Sequence, residues 1–181
     1  GDLHVVYVAP LNEGRGVYYT RSQDGGSTWS APSRVFDAAA AGWPMVTQPA
    51  LAVDADGAVY VAWAQAGPTL PVTAQGVSMA YSTDEGHTWA ELQPHREGAF
   101  GQPLLALSAP GVVHALWRDV DADAWWHRTS RDGGASWSEP AQVRGTLGLV
   151  GQVGLVSDWG GALHLLGLAE TADGPALVAL T

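Results

Sequence analysis

Apolar positions along this chain fall in short runs, each closed by glycine, aspartate, serine or proline, and the runs repeat. Gly57-Ala58-Val59-Tyr60-Val61-Ala62-Trp63 aligns with Gly111-Val112-Val113-His114-Ala115-Leu116-Trp117. Gly161-Ala162-Leu163-His164-Leu165-Leu166-Gly167 and Gly1-Asp2-Leu3-His4-Val5-Val6-Tyr7 follow the same pattern. The leading glycines are 56, 54 and 50 residues apart. Before three of these runs lies another: Pro49–Val53, Pro103–Leu107 and Val153–Val156. The connecting turns, Asp54–Gly57, Ser108–Gly111 and Ser157–Gly161, carry residues that suit hairpins, with glycine free to take positive φ. No helical period is sustained over ten or more residues, so the pattern predicts strands throughout.

A second repeat runs out of phase with the first. Ser22-Gln23-Asp24-Gly25-Gly26-Ser27-Thr28-Trp29, Ser82-Thr83-Asp84-Glu85-Gly86-His87-Thr88-Trp89 and Ser130-Arg131-Asp132-Gly133-Gly134-Ala135-Ser136-Trp137 all read Ser-x-Asp-x-Gly-x-(Ser/Thr)-Trp. This segment resembles the Asp-box, or BNR repeat, of the sialidase superfamily. The resemblance implies an all-β fold: a β-propeller segment of four-stranded antiparallel blades, with six or more blades in a complete ring. The glycine spacing of 50 to 56 residues suits one propeller blade of four short strands plus loops. The box is a local device. Asp24, Asp84 and Asp132 can accept hydrogen bonds from turn amides, Gly26, Gly86 and Gly134 can adopt angles closed to other residues, and Trp29, Trp89 and Trp137 can pack on the blade edge. The resemblance places these boxes on the outer rim, in a structural role.

One blade can be written out as strands at Pro103–Leu107, Val112–Trp117, Ala124–Thr129 and Ala141–Arg144, with third strands of other blades at Gly16–Thr20 and Val77–Tyr81. This register divides the chain into a partial blade (1–40), two full blades (47–97 and 101–146) and a second partial blade (151–181). The expectation is therefore roughly half a ring, with more chain beyond the sequence given. The alternative is a second copy or a further chain completing the ring. No apolar run is long enough to span a membrane, and no signal peptide is legible at the start of the sequence.

Composition narrows the partners. The net charge is −10, charged residues make up 14 %, and all eight basic residues are arginine. An acidic chain without a basic cluster is a poor ligand for nucleic acid or an anionic membrane. There is no cysteine, so disulfides and thiolate chemistry are excluded. No cofactor and no metal are expected. His4, Tyr60, His114 and His164 share one strand position, which fits packing better than a metal column. Asp119-Val120-Asp121-Ala122-Asp123 resembles the start of a calcium loop but lacks the following glycine and distal glutamate, so it is read as a turn.

The resemblance also implies what a sialidase would need: three arginines that clamp a carboxylate, a Tyr–Glu nucleophile pair and an aspartate. The family's Arg-Ile-Pro signature is absent, and Tyr18, Tyr19 and Tyr81 have no evident glutamate partner. Arg118 and Arg128 are the candidates for an inner surface; Arg21 and Arg131 accompany Asp-boxes. Trp43, Trp125, Trp126 and Trp159 are candidates for stacking on a sugar or anchoring a protein, and the insert 67–73 is a further candidate contact surface. The leading expectation is a non-catalytic propeller that recognises a glycan or protein, in an extracellular or cell-surface setting. The alternatives are part of a sialidase-like glycoside hydrolase and an architectural propeller in a larger assembly.

Overall fold

A computed structural model describes residues 1–67, 74–97, 99–144, 149–171 and 174–180. Most of the 67–73 insert, residues 68–73, lies outside them. The described residues form fourteen strands and no helix. Strands β1 (Leu3–Ala9), β2 (Gly16–Ser22) and β3 (Ser33–Asp37) make one antiparallel sheet. β4 (Met45–Val53), β5 (Val59–Ala66), β6 (Ala74–Ser82) and β7 (Ala90–Glu97) make the second. The third is β8 (Phe100–Ala109), β9 (Val112–Asp119), β10 (Ala124–Ser130) and β11 (Ala141–Gln142). The fourth is β12 (Leu149–Ser157), β13 (Leu163–Thr171) and β14 (Gly174–Leu180). Each sheet is a meander in sequence order, and β8 packs against both β4 and β12, so the first strands form the inner edge of a β-propeller segment.

The apolar alternation explains why the sheets stack. Val17, Tyr19 and Val35 of the first sheet meet Val46, Val59, Val61 and Trp63 of the second. The opposite face of the second sheet presents Tyr60, Ala62 and Leu92 to Leu105, Val113 and Ala115 of the third. Leu116 and Trp125, on the far face of the third, meet Leu149 and Leu165 of the fourth. Successive residues of β5 thus serve two different interfaces, and every one of its eight residues is buried. Gly57, Gly111 and Gly161, ahead of the second strands, have φ of 86°, 69° and 83°, the left-handed geometry these hairpins require.

The first strands begin earlier than their apolar runs. β4, β8 and β12 start at Met45, Phe100 and Leu149, and each contains a bulge: between Thr47 and Ala50, Gly101 and Leu104, and Val150 and Gly154. A bulge breaks the two-residue period, which hides the upstream half of the strand from a pattern reading. The fourth strand of the third sheet is shorter than Ala141–Arg144. It pairs only at Ala141 and Gln142, although Val143 N still donates to Trp125 O at 2.8 Å.

The three Asp-boxes share one hydrogen-bond set. Ser22 Oγ donates to Asp24 Oδ1 at 2.8 Å and accepts from Gly26 N at 2.8 Å, while Thr28 N and Thr28 Oγ1 donate to the two Asp24 oxygens at 2.8 and 2.7 Å. Ser82, Asp84, Gly86 and Thr88 repeat this, as do Ser130, Asp132, Gly134 and Ser136. The boxes also touch the preceding sheet. A Cβ on Gly86 would lie 2.2 Å from the Tyr19 ring, and one on Gly134 2.6 Å from Leu92. Trp89 meets Tyr19 edge to face, and Trp137 packs on the cluster containing Leu92. Trp29, whose sheet has no described neighbour on that side, is 45 % exposed.

Gly26→Ala and Gly86→Ala carry a common backbone penalty, since φ is 95° and 86°. Only Gly86→Ala also drives a methyl group into a ring of the preceding sheet, an overpacking cost of about 1–3 kcal/mol. Urea unfolding is expected to show Gly86→Ala as the more destabilised variant by that margin.

Candidate functional site

The inner edge carries a row of amides that the apolar pattern passes over. Gln48 and Gln102 occupy the bulges of β4 and β8, and Gln152 lies within the bulge of β12. Gln48 and Gln102 have φ of 51° and 48°, a left-handed conformation that is unusual for a residue with a long side chain. Strain of this kind costs about 1–3 kcal/mol and gathers at sites where a side chain must be aimed. The amides link three sheets. Gln102 N donates to Gln48 Oε1 at 2.8 Å, and Gln102 Nε2 donates to Gly151 O at 3.1 Å. Gln102 Oε1 is buried and has no hydrogen-bond donor among the described residues. Around it, Gln48, Gln152, Pro49, Pro103 and Leu104 line an open recess of about 350 Å³. The described lining of the recess sets three amides among apolar walls and carries no charge.

The arginines lie elsewhere and apart from each other. Arg118 pairs across the sheet with Trp125 and Arg128 with Ala115, so their side chains leave opposite faces of the third sheet. Arg118 bridges Asp123 at 2.5 Å, and Arg128 Nε donates to Ser138 O at 2.5 Å. The crevice beside Arg128 holds only about 20 Å³, too little for a sugar. These two side chains do not converge on one carboxylate.

The tryptophans separate into packed and open ones. Trp125 is buried in the seam between the third and fourth sheets. Trp43 packs on the first seam, and its carbonyl accepts from Arg15 Nε at 2.7 Å. Trp159 is fully exposed on the β12–β13 turn. Trp126 is half-buried and lines a pocket of about 300 Å³ with Phe100, Trp117, Asp119 and Pro140. The 119–123 segment is a turn, closed by Ala122 N donating to Asp119 Oδ1 at 2.9 Å. The shared column of His4, Tyr60, His114 and His164 is occupied locally: His4 bonds Tyr19 Oη, Tyr60 stacks on Tyr81, His114 meets His127, and His164 meets Asp158. No cluster of three or more metal-ligating side chains occurs among the described residues.

A family model described as "BNR repeat-like domain" matches residues 1–149. The chain belongs to the BNR repeat-like domain family. Solved structures agree on the fold of this BNR domain. An α-L-arabinanase from Penicillium chrysogenum, complexed with arabinobiose, superimposes with a TM-score of 0.71 at 18 % identity, covering 99 % of this chain and 58 % of that one. A family 117 glycoside hydrolase from Zobellia galactanivorans gives 0.64 at 13 % identity, with coverages of 99 % and 63 %. The NanB sialidase from Streptococcus pneumoniae gives 0.55 at 17 % identity, with coverages of 91 % and 26 %. The BNR domain thus spans less than two thirds of the length of each. No curated protein sequence matches the chain.

Protonation in the BNR domain follows from these contacts. The Asp24 and Asp132 carboxyls are held down to about 2, first by the hydroxyls of Thr28 and Ser136 and then by the amides of the same residues; Asp84 is lowered in the same way by Thr88. His114 is pushed down to about 4, mainly by burial and then by His127 and Arg131, and burial also lowers His127. All of these groups bind protons more weakly folded than unfolded, so each favours the folded state at high pH and loses that effect as pH falls. Thermal unfolding is expected to be flat from about pH 6.5 to about 9, above which the buried Tyr19 and Tyr60 hydroxyls, raised mainly by burial, weaken the fold as they ionise in the unfolded chain. It should weaken first between about 6.5 and 4, as the unfolded histidines charge, and again below about 4 as the unfolded carboxyls protonate. Replacing His114 and His127 together with glutamine shrinks the upper stage; a decline that starts only below pH 4 in the unaltered protein contradicts this assignment.

Proposed function

We propose that this BNR domain is a recognition module that binds a neutral glycan in the recess at its inner edge. The observation that carries the reading is the row of Gln48, Gln102 and Gln152, with Gln102 Oε1 buried and lacking a donor among the described residues. An amide offers both a donor and an acceptor, which matches the paired hydroxyls of a sugar. Rotated into the recess, the Gln102 amide would offer Oε1 to a ligand hydroxyl, which would remove the cost of an unsatisfied buried acceptor, roughly 1–3 kcal/mol. An anionic sugar would call for a guanidinium, and no arginine is among the residues lining the recess.

The same residues support binding rather than turnover. Glycoside hydrolysis is carried out by titratable side chains, two carboxyl groups in most families and a Tyr–Glu pair with an aspartate in sialidases, and the described lining of the recess contains none. The likeness in fold to an arabinanase, a family 117 glycoside hydrolase and a sialidase favours one second reading. In it, this segment supplies the binding wall of a hydrolase whose carboxylates come from blades outside the given sequence. Both readings place the protein where glycans are met, in an extracellular or cell-surface setting.

Calorimetry of the 181-residue chain with arabinobiose and cellobiose, and with 3′-sialyllactose as the anionic counterpart, separates the outcomes. A neutral sugar is expected to bind more tightly than the sialylated one, and Gln102→Leu is expected to weaken it about tenfold, the equivalent of one lost hydrogen bond of about 1.4 kcal/mol. Preference for 3′-sialyllactose, or binding indifferent to Gln102→Leu, removes the proposal. Release of reducing sugar by this chain alone removes its non-catalytic part.

A further inference from the structure

We infer that the pocket walled by Phe100, Trp117 and Trp126 is a second carbohydrate site, outside the recess, that stacks one ring of a longer neutral glycan. The inference rests on the glycan reading above and extends it along the same strand. β8 carries Phe100 into the pocket and Gln102 into the recess, two residues apart, or about 7 Å along a strand. The bulge at Gln102 and Pro103 allows one strand to serve both.

The chemistry of the pocket is specific. Three aromatic side chains and Pro140 supply flat apolar walls, and Asp119 is the one charged residue among those lining it. Aromatic faces stack on the C–H-bearing face of a sugar ring, while polar groups at the rim take its hydroxyls. Asp119 Oδ1 accepts from Ala122 N, which leaves Oδ2 for a ligand hydroxyl. Trp126 Nε1 is buried without an acceptor among the described residues. The volume of about 300 Å³ sits at the lower end of small-molecule sites, enough for one ring and its substituents but not for a folded segment. A carboxylate at the rim disfavours an anionic sugar, the same selection as the uncharged recess. The sheet geometry explains the division of labour between adjacent residues: Trp125 faces the fourth sheet and is buried, while Trp126 faces the other way, beside Trp117, its partner across the strand pair.

The test compares a disaccharide with a tetrasaccharide of the same neutral series, arabinobiose and arabinotetraose, titrated into the full chain and read by tryptophan fluorescence and calorimetry. A disaccharide seated in the recess fills it with both rings, whereas the tetrasaccharide has rings to spare for the pocket. Trp126→Ala is expected to weaken arabinotetraose at least fivefold and to leave arabinobiose unchanged, while Gln102→Leu weakens both. Trp126→Phe keeps the stacking face and should recover most of the loss. Asp119→Asn keeps the acceptor for Ala122 N, so it guards against a folding defect, and it should weaken the tetrasaccharide alone. Equal effects of Trp126→Ala on both sugars, or none from Trp126→Ala and Asp119→Asn while Gln102→Leu still acts, overturn the second site and leave the first intact. Absence of any sugar binding defeats the glycan reading itself. A Trp126-dependent response to a proline-rich peptide, with none to arabinotetraose, also overturns the inference.

Discussion

No sheet in this molecule can bury itself, because strands such as β5 are apolar on both faces. Each blade therefore depends on the next, and the seams between them form the core. The Asp-box makes that dependence specific. Its serine, aspartate and threonine close the turn by local hydrogen bonds, which sets the glycine where it rests on Tyr19 or Leu92 of the preceding sheet. The hairpin is at once a turn and a clamp. Trp29 shows the same motif without a described neighbour: the turn is intact and the indole stays exposed.

Stacked seams leave the inner strands to meet side by side, and there the structure turns from apolar to polar. The bulges in β4, β8 and β12 interrupt the alternation where the strands converge. They re-aim glutamines that a regular strand would place differently, at the cost of left-handed backbone at Gln48 and Gln102. One amide row then performs two tasks. It ties three sheets together through Gln102, and it leaves a buried acceptor without a donor among the described residues at the wall of a recess. For the proposed glycan, the packed seams would hold that placement ready before binding.

Much of the fold was legible in the sequence because its determinants are local. An eight-residue box carries its own hydrogen bonds, and Gly57, Gly111 and Gly161 announce hairpins by a conformation that other residues avoid. The site was less legible for the same physical reason. Gln48-Pro49 and Gln102-Pro103 repeat in the sequence, but nothing in those letters encodes a positive φ on glutamine or the bulge that follows. The arginines show the converse. Arg118 and Arg128 are close in sequence and both lie on strands of one sheet, and cross-strand register alone sends them to opposite faces. Trp125 and Trp126 are separated by the alternation of one strand, which sequence does reveal, but which of the two is open depends on the neighbouring blade.

Side-chain amide NMR measures the central claim at its own atoms. With ¹⁵N-labelled protein and a neutral arabino-oligosaccharide, the account expects the side-chain NH₂ signals of Gln48, Gln102 and Gln152 to shift together along one binding curve, with Gln65, buried on the β5 face that meets the first sheet, unmoved. Saturable sugar binding that leaves those three amide signals in place would contradict it.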